Sequence, residues 1–198
     1  MPAQPDLSAL LGSRLCHDLI GPIGAIGNGV ELLLLAGGGR GDEVALISES
    51  VTTLNARIRF YRVAYGIARP DQSIARNEVT AILADLFPSG RITVTWTSPS
   101  DLPRAEVKAI FLLLLCAEQA LRSGGRIAVL RDGAGWSLTL TSPRLRHDAA
   151  LWSLTRSPTL PPDLEPAQVQ FPLAGQALAQ LGRKPDFEPG PETLRISF

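Results

Sequence analysis

A histidine followed by an aspartate, His17 and Asp18, is the pair in this chain best suited to chemistry. An imidazole with an ordinary pKa near 6.5 is mostly neutral at pH 7, and its free ring nitrogen can then accept a phosphoryl group. Asp18 could hold the other ring N–H and so orient the imidazole. Because neighbouring side chains on a helix diverge by about 100°, an aspartate that simply faces solvent is an equal alternative.

The residues around His17 predict that it is exposed. On a helical projection the bulky apolar residues lie opposite the histidine, and they are Leu15, Leu19, Ile26 and Leu33. The residues on its own side, within about 40° of it, are small or polar, namely Ser13, Gly21, Gly24 and Asn28. Each glycine inside a helix costs roughly 1 kcal/mol. Such glycines indicate either the close approach of another macromolecule or tight packing within a helical bundle.

Two segments with apolar residues at helical spacing, 7–35 and 43–68, flank a glycine-rich stretch at 36–41. This pattern predicts a helical hairpin, with Asp42 as the N-cap of the second helix. Pro70 ends that helix, so we expect one domain at 1–70 and another at 71–198. A single hairpin cannot enclose its apolar stripe. The pattern therefore favours a homodimer through residues 7–68, in which two hairpins form a four-helix bundle.

The second half of the chain mixes the two types of regular structure, and the fold class is therefore predicted to be α+β. Helical patterns cover residues 77–87, 104–122 and 171–181. Strand patterns cover residues 91–96, 127–130, 136–141 and 193–198.

Composition excludes several classes of function. The 198 residues include 19 basic and 19 acidic side chains, and this zero net charge argues against nucleic-acid binding. Two cysteines and two histidines make neither a disulfide framework nor a four-ligand zinc site. No secretory signal is visible at the start, and no membrane insertion is expected. The predicted location is the cytoplasm.

The segment His17-Asp18-Leu19-Ile20-Gly21-Pro22 resembles the H-box of sensor histidine kinases, in which an acidic residue follows the phosphoacceptor histidine and a proline stands at the fifth position. Ile20 departs from that pattern, since kinases commonly have a basic residue there. The second helix ends in Arg59-Phe60-Tyr61-Arg62-Val63-Ala64-Tyr65-Gly66. Together with Ser13-Arg14-Leu15-Cys16 before the histidine, it resembles the ChpT-type histidine phosphotransferases of alphaproteobacteria, in order and spacing across essentially the whole chain.

The resemblance implies a dimeric core like that of histidine kinases, with a degenerate ATPase-like α/β sandwich after the bundle. It implies a relay of phosphoryl groups through His17, between receiver domains of a hybrid histidine kinase and of response regulators. Asp18 would assist His17, and the residues expected to contact the partner are Ser13, Arg14, Gly21, Gly24 and Asn28. Mg²⁺ is expected on the partner receiver, and this chain itself is expected to hold no cofactor and no metal.

Two further segments argue against ATP binding. Asp132-Gly133-Ala134-Gly135 partly matches the nucleotide box of kinases, but strand patterns on both sides favour a hairpin turn. The helix at 112–121 resembles the kinase helix that holds Mg²⁺ and phosphate, but it lacks the required asparagines. The alternative functions are a phosphorylation-independent dimeric adaptor that binds and regulates two-component proteins, with His17 as a relic, and an ATP-dependent histidine kinase.

Overall fold

The structure, a computed structural model, describes residues 5–35, 41–88, 90–133, 135–157 and 159–198. Helix α1 (Leu7–Leu35) has the predicted bounds, and the Asp6 carboxylate caps it by accepting a hydrogen bond of 2.8 Å from the Ser8 N–H. Helix α2 (Gly41–Ala64) packs along α1. The glycine-rich connection predicted between them falls at 36–40, outside the described residues.

The predicted start of α2 is wrong by two residues, since Asp42 lies within the first turn and not at the N-cap. Asp42 and Glu43 in that turn place negative charge against the positive end of the helix dipole. The helix also ends earlier than predicted, at Ala64. Residues 65–72 then lead from the hairpin to the rest of the chain without a helix or strand.

The remaining chain alternates helices and strands, so the predicted α+β class is confirmed. Its helices are α3 (Arg76–Leu86), α4 (Arg104–Ala120), α5 (Ala149–Ser153), the 3-10 helix Pro166–Gln168 and α6 (Gln170–Gln180). Its strands are β1 (Ser73–Ala75), β2 (Ile92–Thr97), β3 (Asp101–Pro103), β4 (Gly125–Asp132), β5 (Gly135–Thr141), β6 (Asp186–Pro189) and β7 (Thr193–Ser197).

Five strands form one sheet in the order β2-β4-β5-β7-β6, and β1 pairs with β3 separately. Only the β2–β4 neighbours within the five-stranded sheet are parallel. Alternate residues of β5, including Trp136 and Leu138, are buried in the same core as the apolar residues of α4 and α6. One face of the sheet therefore packs on helices, and the other carries mostly polar side chains, with Leu130 of β4 as an exposed apolar exception.

The partial nucleotide-box motif is a hairpin turn, as predicted. Asp132 and Gly135 face each other as the last pair of the antiparallel β4–β5 ladder. Gly133 adopts a positive φ of 57°, the left-handed conformation that two-residue hairpin turns require. The other turn residue, at position 134, lies outside the described residues.

A continuous apolar core joins the hairpin to the C-terminal part. The Phe60 ring of α2 stacks on the Phe111 ring of α4, with centroids 4.4 Å apart and planes within 10°. Two cations of α4 hold carbonyl oxygens at the end of α2: Lys108 Nζ donates to Gly66 O at 2.8 Å, and Arg104 donates to Arg62 O at 3.0 Å. Helix α2 is thus fixed against the C-terminal part, while α1 packs mainly on α2.

Helix α1 keeps an exposed apolar face. By length and composition alone it qualifies as a helix that could cross a bilayer. Four large apolar side chains are exposed along one side of this helix, and they are Ile20, Ile23, Val30 and Leu34. Their spacings of three, seven and four residues are those of a single helix face. A matching stripe on α2 recurs every seventh residue, and it comprises Val44, Val51 and Ile58. We call these seven residues the apolar stripe.

Candidate functional site

His17 projects from α1 into solvent, as the sequence predicts. Its side chain is 87% exposed, whereas Leu15 and Leu19, which were predicted to lie on the opposite side, pack against the core. Ile26 and Leu33 of the same predicted face are half-buried. The imidazole is therefore accessible to a macromolecule that approaches from outside the hairpin.

Asp18 contacts the imidazole through one carboxylate oxygen and is held through the other. Its side chain is only 9% exposed, and Oδ1 lies 3.3 Å from His17 Nδ1. Oδ2 accepts hydrogen bonds from Arg14 Nε at 2.7 Å and from the Tyr61 hydroxyl at 2.5 Å. Of the two alternatives left open by the sequence, the structure therefore has the oriented carboxylate and not a solvent-facing one.

The protonation states of this pair follow from these contacts. Burial opposes ionisation of Asp18, but the hydrogen bonds from Tyr61 and Arg14 outweigh it and lower the pKa of the carboxyl. An ionised carboxylate can only accept hydrogen bonds, so Nδ1 of the neutral imidazole must carry the proton. That tautomer leaves the lone pair of Nε2 free, on a side chain that is 87% exposed.

Two tyrosines, Tyr61 of α2 and Tyr65 just after its last residue, lie beside this pair on its inner side. The rings of Tyr61 and Tyr65 are 5.4 Å apart, and burial raises the pKa of both phenols far above the ordinary value. Tyr61 is therefore a neutral donor to Asp18 at any working pH. Burial also raises the pKa of Glu118 on α4, which lies near the positive charges of Arg57 and Arg14.

Four of the predicted partner-binding residues are exposed on the histidine's side of α1, and they are Ser13, Gly21, Gly24 and Asn28. A Cβ built on Gly21 or Gly24 would meet no atom of the described residues within 4 Å. A Cβ on Gly29 would instead lie 2.6 Å from Ile47 Cγ1, so this glycine permits the close packing of α1 on α2. Packing within the described chain therefore accounts for Gly29 but not for Gly21 or Gly24.

Arg14, the fifth predicted partner-binding residue, lies in a different environment. Its guanidinium is mostly covered, with 23% of the side chain exposed, and its Nε is occupied by Asp18. One terminal nitrogen lies 3.5 Å from the carbonyl oxygen of Ala167, in the 3-10 helix of the C-terminal part. Partner contact by Arg14 stays a prediction.

Comparison with known proteins agrees with this architecture. The family model described as "Histidine phosphotransferase C-terminal domain" matches residues 76–193, which is more than half of the chain. The chain belongs to the histidine phosphotransferase family. The resemblance predicted from the H-box and the end of α2 is thereby confirmed.

Two known proteins are similar to this histidine phosphotransferase over different lengths. The "Protein phosphotransferase ChpT" of Brucella abortus (strain 2308) is 38% identical over 131 residues, which are 65% of this chain and 62% of that protein. The chain thus aligns with less than two thirds of that relative's length. The 1.7 Å structure of a bacterial phosphotransferase is 30% identical, has a TM-score of 0.81 and covers 100% of this chain and 98% of its own.

Helix α4, which covers the segment 112–121 up to Ala120, is packed into the apolar core. Leu112, Leu113 and Cys116 of α4 are fully or almost fully buried in the core. Trp152 of α5 packs edge-on against Phe171 of α6. No three histidine, cysteine, aspartate or glutamate side chains come together as a metal-binding group in the part of the chain that the structure describes.

Tyr61 is the site residue that the sequence analysis did not assign. It lies 43 positions after Asp18 and on another helix, so helical periodicity around the histidine cannot find it. The available signal was the segment 59–66 at the end of α2, which carries the family resemblance.

Proposed function

We propose that this chain relays a phosphoryl group through His17, between receiver domains of a hybrid histidine kinase and of a response regulator. The observation that carries the proposal is the exposed imidazole, with Nδ1 on the Asp18 carboxylate and Nε2 free. Such a relay forms a phosphohistidine intermediate and needs no ATP of its own. Family membership supports the proposal independently.

In the first transfer, the Nε2 lone pair of His17 attacks the phosphorus of the donor's aspartyl phosphate. A P–N bond forms, and the P–O bond to the donor's carboxylate breaks, so that the carboxylate leaves with the electron pair. The proton stays on Nδ1, where the Asp18 carboxylate balances the positive charge of the phosphorylated ring. The acceptor's aspartate then reverses these events, and the relay is reversible.

Positioning and charge neutralisation supply most of the catalysis in phosphoryl transfer. The receiver brings the phosphorylated aspartate and Mg²⁺, and this chain brings a fixed nucleophile on a smooth helix face. Gly21 and Gly24 leave that face open, and Ser13 and Asn28 border it. Receivers are water-soluble domains of two-component proteins, so the relay works in the cytoplasm.

A homodimer is part of the proposal. The apolar stripe leaves seven large side chains of α1 and α2 exposed on one chain. A second copy fits this surface, because two hairpins packed side by side make a four-helix bundle that buries both stripes. The charged network of Arg14, His17 and Asp18 lies near the start of α1, and in a bilayer it would lose its solvation. We therefore favour a second copy over a membrane as the occupant.

Transfer of labelled phosphate from a phosphorylated receiver tests the function. The donors are the purified receivers of the same organism, and the acceptors are the wild type, His17→Ala and His147→Ala. His147 is a matched control because it is the other histidine, is exposed, and also precedes an aspartate, Asp148. We expect label on the wild type and on His147→Ala, and none on His17→Ala, because that variant lacks the accepting nitrogen.

The same assay separates the alternatives. Label that appears from ATP alone would restore the autonomous kinase. If no receiver labels the wild type, the proposal fails, and the adaptor explains the exposed surface better. An adaptor that ignores phosphorylation also predicts that His17→Ala binds and regulates its partners as the wild type does.

A further inference from the structure

The two oxygens of Asp18 have separate partners. Oδ1 faces the imidazole, while Oδ2 receives two short hydrogen bonds, one from Arg14 on the same helix and one from Tyr61 on α2. Because both oxygens of this carboxylate have partners, the side chain cannot rotate without losing at least one of these hydrogen bonds. The arrangement thus restricts a side chain that helix geometry alone would let point elsewhere.

We propose that Tyr61, assisted by Arg14, is a positioning residue for phosphoryl transfer: it locks Asp18 so that Oδ1 keeps the His17 proton on Nδ1 and Nε2 stays free to attack. Tyr61 touches neither the phosphoryl group nor the imidazole, and it acts through Asp18. The consequence for transfer depends on the proposed function, whereas the consequence for the tautomer of His17 does not.

The position of Tyr61 is fixed by packing contacts between α2 and α4, which lie away from the histidine. Its neighbour Phe60 is fully buried and stacks on Phe111 of α4, and Tyr61 itself is buried. Because the C-terminal part holds this end of α2, the phenol is delivered to Asp18 by packing that a lone hairpin would lack. The C-terminal part of the chain would thereby contribute to the chemistry of the histidine.

The surroundings contain a matched control. Tyr65 follows the last residue of α2, its ring is 5.4 Å from that of Tyr61, and both phenols are kept neutral by burial. Tyr65 is not among the hydrogen-bond donors to Asp18. Replacing either tyrosine by phenylalanine removes one hydroxyl and keeps the ring, so the two variants differ in whether a donor to Asp18 is lost.

The first measurement is the tautomer of His17 by long-range ¹H–¹⁵N NMR of the full chain labelled with ¹⁵N-histidine, at a pH where imidazoles are neutral. The chain has only two histidines, so exposed His147 serves as an internal reference. We expect the Nδ1–H form of His17 to dominate in the wild type and in Tyr65→Phe. In Tyr61→Phe its fraction falls, and the His147 signals stay unchanged.

The second measurement is single-turnover transfer from a phosphorylated receiver, with receiver affinity determined separately. We expect Tyr61→Phe to slow transfer on the order of tenfold, since a misplaced reacting group costs that much or more, and to leave the Kd for the receiver unchanged. Tyr65→Phe transfers as the wild type. If Tyr61→Phe does not fold by circular dichroism, the tautomer of His17 in Arg14→Gln decides the inference, because this variant removes the other donor to the same oxygen and the tautomer is read without a receiver.

The inference is overturned if Tyr61→Phe keeps both the wild-type tautomer and the wild-type rate. It is also overturned if only one of the two changes. A slower rate with an unchanged tautomer indicates a structural role for Tyr61. A changed tautomer with an unchanged rate shows that phosphoryl transfer does not depend on the positioning of Asp18 by Tyr61. If the wild type accepts no phosphoryl group, the proposed function fails, and the tautomer measurement still decides whether Tyr61 positions the pair.

Discussion

Helices α1 and α4 are both rich in apolar residues, yet the chain uses them in opposite ways. Of the 29 residues of α1, only Gly29 is buried, whereas 12 of the 17 residues of α4 are buried. Helix α4 lies between α2, α6 and the sheet, so its own chain covers it. Helix α1 packs on α2 alone along most of its length, and its remaining surface is left for other molecules.

Hydrophobicity by itself therefore does not locate the core of this protein. Helix α4 holds the two halves together through Phe111 and its neighbours. Helix α1 presents two separate surfaces, the apolar stripe and the smooth face around His17. On a helix these faces lie about 100° apart, so the proposed second copy and the proposed receiver would bind different sides of the same helix.

The largest expected effect comes from the buried helix. Phe111→Ala removes a fully buried ring that stacks on Phe60 and meets Trp96 edge-on. We expect the free energy of unfolding to fall by about 3–5 kcal/mol, as measured by urea denaturation monitored by circular dichroism. A loss below about 1 kcal/mol, a range typical of surface substitutions, would show that the junction between the two halves contributes little.

An intermediate effect is expected on the exposed side of α1. Ile23→Asp puts a charge into the apolar stripe, where the side chain is 54% exposed in the single chain. We expect the proposed homodimer to dissociate to monomers, with a dissociation constant raised at least tenfold, since burying an unpaired charge in an interface costs well over 1.4 kcal/mol. Light scattering over a dilution series measures the change.

Leu130→Asp is the control for that substitution. Leu130 is 43% exposed on β4 and lies outside the apolar stripe. The Leu130→Asp substitution also introduces an aspartate, but on a surface that the proposed dimer does not use. We therefore expect this variant to keep the mass of a dimer. A wild type that is monomeric at all concentrations, or a Leu130→Asp that dissociates equally, contradicts the assignment of the stripe to a second copy.

The smallest effect distinguishes two glycines of the same helix. Gly24→Ala meets open space, so the better helix propensity of alanine should stabilise the chain by up to about 1 kcal/mol. Gly29→Ala forces its methyl group against Ile47, and we expect a net loss of about 1 kcal/mol. Thermal and urea unfolding measure whether each substitution raises or lowers the free energy of unfolding.

The same pair tests the receiver surface. Gly24→Ala should weaken receiver binding although it stabilises the chain, because the methyl group stands on the face that the receiver is proposed to approach. Gly29→Ala, once folded, should bind the receiver like the wild type. Equal receiver affinities for the wild type and Gly24→Ala would mean that this glycine does not mark the docking face.

The long elements of the fold were predictable because their patterns are periodic. Helix α1, the β4–β5 hairpin and β7 were predicted to within about two residues. The strands β1, β3 and β6 and the helix α5 were not predicted. Segments of three to five residues carry too few repeats to show a period, and their hydrogen bonds depend on partners that are distant in the chain, as when Ile74 pairs with Leu102.

The sequence by itself determined that His17 stands on the open side of a long helix, because 3.6 residues per turn separates it from the bulky side chains wherever that helix packs. The tertiary structure decided what Asp18 does. A residue beside the histidine could point to solvent or to the ring, and the carboxylate of Asp18 is held toward the ring by Arg14 of the same helix and by Tyr61, which the packing of Phe60 on α4 brings from α2. Contacts between helices depend on side chains that are far apart in the chain, and local periodicity carries no information about them.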